Sequence, residues 1–590
     1  MISISDKSNS VPVSDLGDGP ANAFSCALHV ALPNCTLRSA IARCIQLRRC
    51  TVSIPPNSVV VMQSEITVWS ADRVTITGQG STITGSGVHR FMSVMYSEHV
   101  KLSGVELRGF GMESDDGGAI YLSNSRDVSF VNVTFYNNVA RDGGGVYVTN
   151  SPRVEFWNCS FISNRAQRNG GGLMGYVSSG SLHVVASMFL QNSAMSSGGG
   201  VHLGNDNDDM SLTECTFQGN TAVNGGGVYM NSGNDYMTII STTLTGNTAE
   251  LSGGGLYSKA SNWHLYICNC TISANTAGAL YGGGIVAIND NRNLAILNSS
   301  FYDNVAGERG GALSLQEACP NVIVSNTIFW NNSAPKGGGI SSWLVNSNME
   351  IAGCAFVGNT AMDGAALSVP LRVEHLHVSS TLFDSNVASK SGGALYVAAT
   401  TFMEVVDCEF EGNVATSGGG VYIADGTDLE FRSNMWRRNI ARSSGGALTL
   451  NSKSEAVWIY HDTFRDNNAS VVGGAVYVNV GGDDVNFEAL IFVNNVASRG
   501  GGGAYVARGN RNLRFNNSIF KGNSAGRGSA LVLDGLNVDI SLADVIFRSN
   551  IATSFGGTLY LGSENTGVHL ANCVFVENEA GSYGGACCEV

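Results

Sequence analysis

GGGVYVTNSPRVEFWNCSFISNRA, residues 143–166, holds a triple glycine, two short β-rich runs, and a Phe followed three residues later by Asn and five later by Ala. The same frame recurs seventeen times from Phe135 to Phe575, about every 27 residues, with an aromatic or apolar residue at its head. Every copy keeps the Asn, from Asn138 to Asn578, and the Ala, from Ala140 to Ala580. Apolar residues sit seven and five positions before the Phe, as Val154 and Phe156 do. The next inward position is two before it, as at Cys159, so the parity breaks. Alternation of period two marks a half-buried strand, and a one-residue phase shift inside it marks a corner. The glycine run opens a third strand, with Val146 and Val148 facing one way and Tyr147 the other. Three short strands per cassette of near-constant length describe a coil whose copies stack. The expectation is an all-β parallel β-helix solenoid with three sheets, a rod on the order of 80 Å at about 4.8 Å per coil.

Other architectures fit less well. The runs are rich in Val, Ile, Phe and Thr and show no 3.6-residue period, which excludes helical repeats. A propeller blade needs four strands and roughly 40–45 residues. The 590 residues exceed what one globular core supports, whereas a solenoid core lengthens with each repeat. Glycine numbers 74 and proline only 9, without a period of three. A net charge of −14 argues against nucleic-acid binding, which needs basic stripes. No apolar run is long enough for a membrane-spanning helix.

Three regions follow. Residues 1–20 read as a disordered or partial N-terminus, without the basic start and apolar run of a secretory signal. Residues 21–110 read as a cap and first irregular coils, with a helix from Cys35 on which Leu37, Ile41, Cys44 and Leu47 share a face. A cap is required because an open solenoid end exposes strand edges and core. Residues 111–590 are regular repeats, read as truncated at the C-terminus because the chain stops inside a cassette.

Within a cassette the Phe column forms an inner stack. Residues two before it are small (Cys159, Ser187, Cys215, Thr242) and let two sheets approach at the corner. The Asn column makes a hydrogen-bonded ladder, since an amide both donates and accepts. Cys26, Cys35, Cys44 and Cys50 cluster around the cap. One or two disulfides are expected there; zinc is the rival, but these spacings match no paired-ligand motif. Eight glycosylation sequons occur, at Asn34, Asn132, Asn158, Asn269, Asn298, Asn331, Asn468 and Asn516, with Asn132 and Asn298 at the corner.

The pairing of GGAIY (117–121), GGALY (392–396) and GGAVY (473–477) with FYNN (135–138), FDSN (383–386) and FRDN (464–467) resembles the repeat of chlamydial polymorphic outer membrane proteins. More broadly the chain is similar to right-handed parallel β-helix, or pectin-lyase-like, proteins. The resemblance covers about residues 115–588. It implies a right-handed coil and a cell-surface or secreted role, often adhesive.

Nine of the chain's 18 tyrosines fall in one outward column of the glycine-led strand: Tyr121, Tyr147, Tyr229, Tyr257, Tyr396, Tyr422, Tyr477, Tyr505 and Tyr560. They are the candidate binding residues, a stacking platform for an extended glycan or a surface protein. The competing reading is ordinary strand propensity with self-stacking between coils. A second outward column precedes each Phe, Thr or Ser early (Thr134, Ser160, Thr216) and apolar late (Ile491, Ile519, Ile546). Ice binding and a partner surface are possible uses; β propensity explains it more simply.

No catalytic, cofactor-binding or metal-ligating residue is assigned. Acidic turns at 113–116, 205–209 and 483–484 share no loop register that would recruit calcium. Asp115 and Asp116 are adjacent and point to opposite faces, unlike a hydrolase pair. Arg437, Arg438 and Arg465 form a basic patch read as lacking acidic partners at matching positions. The function expected is therefore an extracellular or cell-surface structural and adhesive rod. A polysaccharide lyase or glycoside hydrolase is the alternative.

Overall fold

The computed structural model describes residues 9–19, 26, 34–344, 346–554, 556–582 and 587–589. These form an all-β parallel solenoid with one short helix near the start. The chain divides into two compact units, Met1–Ala279 with Gly283–Ala287 and Leu280–Gly282 with Ile288–Val590.

The first unit opens with β1 (Asn9–Pro12), helix α1 (Leu37–Leu47) and β2 (Cys50–Ser53). Thr36 caps α1 by accepting the Ser39 amide, and Leu37, Ala40, Ile41 and Cys44 are buried. β1 pairs in parallel with β2. This strand lies within the stretch expected to be disordered or partial; residues 1–8 and 20 of that stretch lie outside the described residues. Two disulfides, Cys26–Cys35 and Cys44–Cys50, use all four cap cysteines, which excludes zinc.

The cassette quoted above folds as β3 (Val146–Thr149), β4 (Val154–Trp157), β5 (Ser160–Ile162) and a two-residue β6 (Arg165–Ala166). The first three are the expected strands, and β6 adds a short pairing at the Asn-x-Ala segment. Between β4 and β5, Asn158 adopts φ 49°, as do Asn132, Ala186 and Glu214 in equivalent coils with φ 51°, 48° and 54°. This single left-handed residue is the physical form of the parity break. A second left-handed residue, Ser163 at φ 53°, separates β5 from β6.

Register places like over like. Phe135, Phe161, Phe189 and Phe217 stack with centroids 4.5–4.6 Å apart, close to the coil spacing of a parallel sheet. In the second unit the stack runs from Phe301 to Phe575 with Trp436 in one place, at centroid spacings of 4.1–5.5 Å. Burying each such ring contributes roughly 1.5–3 kcal/mol.

Beside each stack runs the Asn ladder. Asn164 accepts both the backbone amide and the Nδ2 of Asn138, and its own Nδ2 donates to the Phe135 carbonyl and to Asn192 Oδ1. The pattern continues to Asn275 in the first unit and runs from Asn304 to Asn578 in the second. Ladder members such as Asn164 and Asn386 are fully buried. The small corner residues form a second ladder, in which Ser187 Oγ accepts the Cys159 amide and Thr242 Oγ1 the Cys215 amide. Cys159 and Cys215 carry free thiols, which burial pushes up to about 12.

Candidate functional site: a groove at the glycine corner

The first glycine of each run turns the chain back over the strand that follows. Gly143 has φ 65°, and a Cβ there would lie 2.4 Å from the Val146 carbonyl oxygen and 3.0 Å from Tyr147 Cβ. The corner is therefore re-entrant, and the outward column stands in its angle. In the first unit the column reads Tyr121, Tyr147, Met174, His202, Tyr229, Tyr257 and Val286, in register. In the second, Ser314, Ser341, Ser368, Tyr396 and Tyr422 follow one another.

The candidate tyrosines differ in exposure along the column. Tyr147, Tyr229, Tyr505 and Tyr560 are buried, Tyr121, Tyr257, Tyr396, Tyr422 and Tyr477 are half-buried, and none is exposed. Neighbours cover one another's faces: Tyr121 and Tyr147 stack at 5.5 Å, Tyr229 and Tyr257 at 5.0 Å, Tyr396 and Tyr422 at 5.7 Å. Arg90 lies over Tyr121 and Arg527 over Tyr560. Burial raises the Tyr147 and Tyr229 hydroxyls, and it carries Tyr505 to about 12, where the hydroxyl also donates to Asp534. What the groove offers is ring edges and hydroxyls, not open faces. In the second unit Ser341 and Ser368 of the column are fully buried, and their Oγ atoms lack hydrogen-bond partners. Nearby, Arg309 lies 3.5 Å from the Trp343 ring centroid, with Lys336 at 4.8 Å. Asp363, at the same corner, is held above the ordinary carboxylate value by burial, against the pull of Lys390 and Lys336.

A model described as right handed beta helix region matches residues 25–189, 189–383 and 377–588. The chain belongs to this right-handed β-helix family. No curated protein matches it. Among solved structures this β-helix is similar to the catalytic unit of a thermostable GH87 alpha-1,3-glucanase from Streptomyces thermodiastaticus strain HF3-3. That match has 13% identity and a TM-score of 0.35, covering 62% of this chain and 66% of that one. It is also similar to PfbA, a surface adhesin of Streptococcus pneumoniae, at 12% identity over 64% of this chain and 88% of that one, TM-score 0.34. A PL6 family alginate lyase, AlyGC, matches at 10% identity over 92% and 99%, TM-score 0.28.

Elsewhere on the β-helix, the acidic turns at 113–116 and 483–484 are ion-paired across coils: Asp115 with Arg90, Asp116 with Arg141, Asp484 with Arg514. The basic patch is corrected. Register sets Glu411 beside Arg437 and Arg437 beside Arg465. Arg437 contacts Glu409 and Glu411, Arg438 contacts Glu411, and Arg465 pairs with Asp466. The acidic partners were visible in the sequence as the residues flanking Phe410, one coil before those flanking Trp436. On the adjoining strand a titratable row runs Glu350, His377, Glu404 and Glu430, with Tyr460 donating to Glu430. His377 meets Glu404 at 2.9 Å. The period-two reading marked these positions as outward but did not align them. In the second outward column Ile491, Ile546 and Val574 are exposed. Sequon residues Asn132, Asn158 and Asn298 are exposed on left-handed corners. Among the described residues no helix is long and apolar enough to cross a membrane.

Proposed function

We propose that the protein is an extracellular or cell-surface β-helix whose glycine-corner grooves bind extended glycans. The observation that carries this reading is the outward column, where Tyr396 and Tyr422, half-buried and in register, present ring edges and hydroxyls. Those edges and hydroxyls offer apolar contact and hydrogen bonds to a polyhydroxylated ligand. Because the groove repeats with the coil, an extended chain meets an equivalent position about every 4.8 Å. The cap disulfides and the exposed sequons are consistent with an oxidising, glycosylating route. The cassette's resemblance to polymorphic outer membrane protein repeats supports a surface role.

The alternative, a lyase or hydrolase, draws on the Glu404–Glu430 row, with His377 against Glu404 and Arg432 against Glu430. Its charges are already matched in pairs, which favours a structural role for them. One experiment separates the readings: the full chain is screened against immobilised polysaccharides while release of reducing ends and unsaturated products is followed. Binding without turnover, lost when Tyr396 and Tyr422 are both changed to Ala, is expected. Turnover abolished by Glu404→Gln or Glu430→Gln would establish the enzyme instead.

A further inference from the structure

We infer that the first unit's groove contains a pocket centred on His202 that holds a single pyranose unit through its hydroxyls; this rests on the glycan-binding reading. The cavity, about 240 Å3, is lined by Tyr176, His202, Gly204, Tyr229, Asn231 and Lys259 among others. His202 takes the place of a tyrosine in the outward column and stacks on Tyr229, with centroids 4.7 Å apart. It is 6% exposed, and its Nδ1 is buried without a partner. Asn231 Oδ1 is likewise buried and unpartnered, while its Nδ2 donates to Asn205 Oδ1 at 2.7 Å. With Nδ2 engaged in that bond, the free atom is an acceptor. Burial pushes the imidazole down to about 3, against a backbone hydrogen bond at Ser197 and with help from the Lys259 charge, so the ring is neutral at ordinary pH.

Gly204 lets adjacent coils close up at one wall of the cavity. A Cβ there would lie 1.8 Å from the Tyr176 carbonyl oxygen, so no side chain can occupy that stretch of wall. Tyr176 is half exposed.

The chemistry narrows the occupant. An apolar ligand would leave both atoms unpaired, at about 1–3 kcal/mol each. A cation would face Lys259. A hydroxyl donates to Asn231 Oδ1 and matches either tautomer of His202, because it both donates and accepts. A pyranose presents neighbouring hydroxyls on its edge and a C–H face to the Tyr176 ring.

Saturation-transfer NMR on the full chain, with the methyl glycopyranosides of glucose, galactose and mannose, tests this. At least one glycoside should receive transfer. Affinity should fall about five-fold in His202→Phe and in Asn231→Ala, the loss of one hydrogen bond. His202→Phe preserves the ring stack, and Asn231→Ala serves if the first variant misfolds by circular dichroism. Equal transfer in both folded variants, or no transfer to any glycoside, overturns the pocket. Polysaccharide binding is read on the same samples: binding retained without glycoside transfer sinks the pocket alone, whereas its absence sinks the glycan reading.

Discussion

Trp436 shows how single residues are fitted to the stack. Where every other aromatic of the second unit's inner column is Phe, this indole brings an N–H into the core. Asp462, on the next coil at a position that is Ser, Thr or Cys in many other coils, accepts from Trp436 Nε1 and from the Asn434 amide. Asp462 is fully buried, and burial lifts its carboxyl to about 7 in spite of those donors. The folded chain thus keeps a proton that the unfolded chain loses from about pH 4 upward. Stability should fall as pH rises from about 4 to 7 and level off above. In paired thermal melts of wild type and Asp462→Asn, the wild-type midpoint should drop relative to the variant between pH 5 and pH 8. A constant difference would remove this account. The Asn ladder makes a second residue-scale prediction. Asn386→Ala strands the Asn359 amide and one of the two Asn359 Nδ2 hydrogens, and removes the side-chain donor to the Phe356 carbonyl, in a dry core. Denaturant unfolding should show a loss of about 3–5 kcal/mol. The ladder was legible because one residue type recurs at one place in every cassette. The hydrogen-bonding role of the corner residues was not, because Cys among Ser and Thr reads as a preference for small size.

At the scale of the element, the glycine corner decides what the outward strand face becomes. Alternation along Val146, Tyr147 and Val148 correctly gave the side on which the tyrosine stands. It could not show that the corner folds back, because burial on the far side of a strand depends on a neighbouring segment and not on period. The first glycine of the run carried that information, and the second marks where neighbouring coils touch. A Cβ at Gly419 would lie 2.2 Å from the Gly446 carbonyl oxygen, with backbone on every side. At Gly412, outside the run, the nearest atom is Ser385 Oγ at 3.6 Å and only the left-handed backbone, φ 61°, resists a side chain. Gly412→Ala should therefore cost about 1–2 kcal/mol, whereas Gly419→Ala should separate adjacent coils and cost several. Comparable melting temperatures for the two variants would contradict the re-entrant corner.

For the whole molecule, the repeat made the architecture readable before any coordinates. Coil length, strand phase and cap helix all follow from spacing, and the family match agrees. Function was less readable because the solenoid reuses the same positions for stacking and for any ligand. Nine tyrosines in a column look alike whether they hold the fold or a glycan, and the structure shows three pairs of them stacked on each other. Only the unpartnered atoms beside them distinguish wall from site, and those emerge from three-dimensional bonding. The central claim is that binding positions repeat with the coil. Dissociation constants for a bound oligosaccharide series of increasing length test it most directly. Affinity should rise with each added unit over several units and lose that dependence in the Tyr396→Ala, Tyr422→Ala double variant. Affinity that is flat with length, or a length dependence untouched by the double variant, would contradict it.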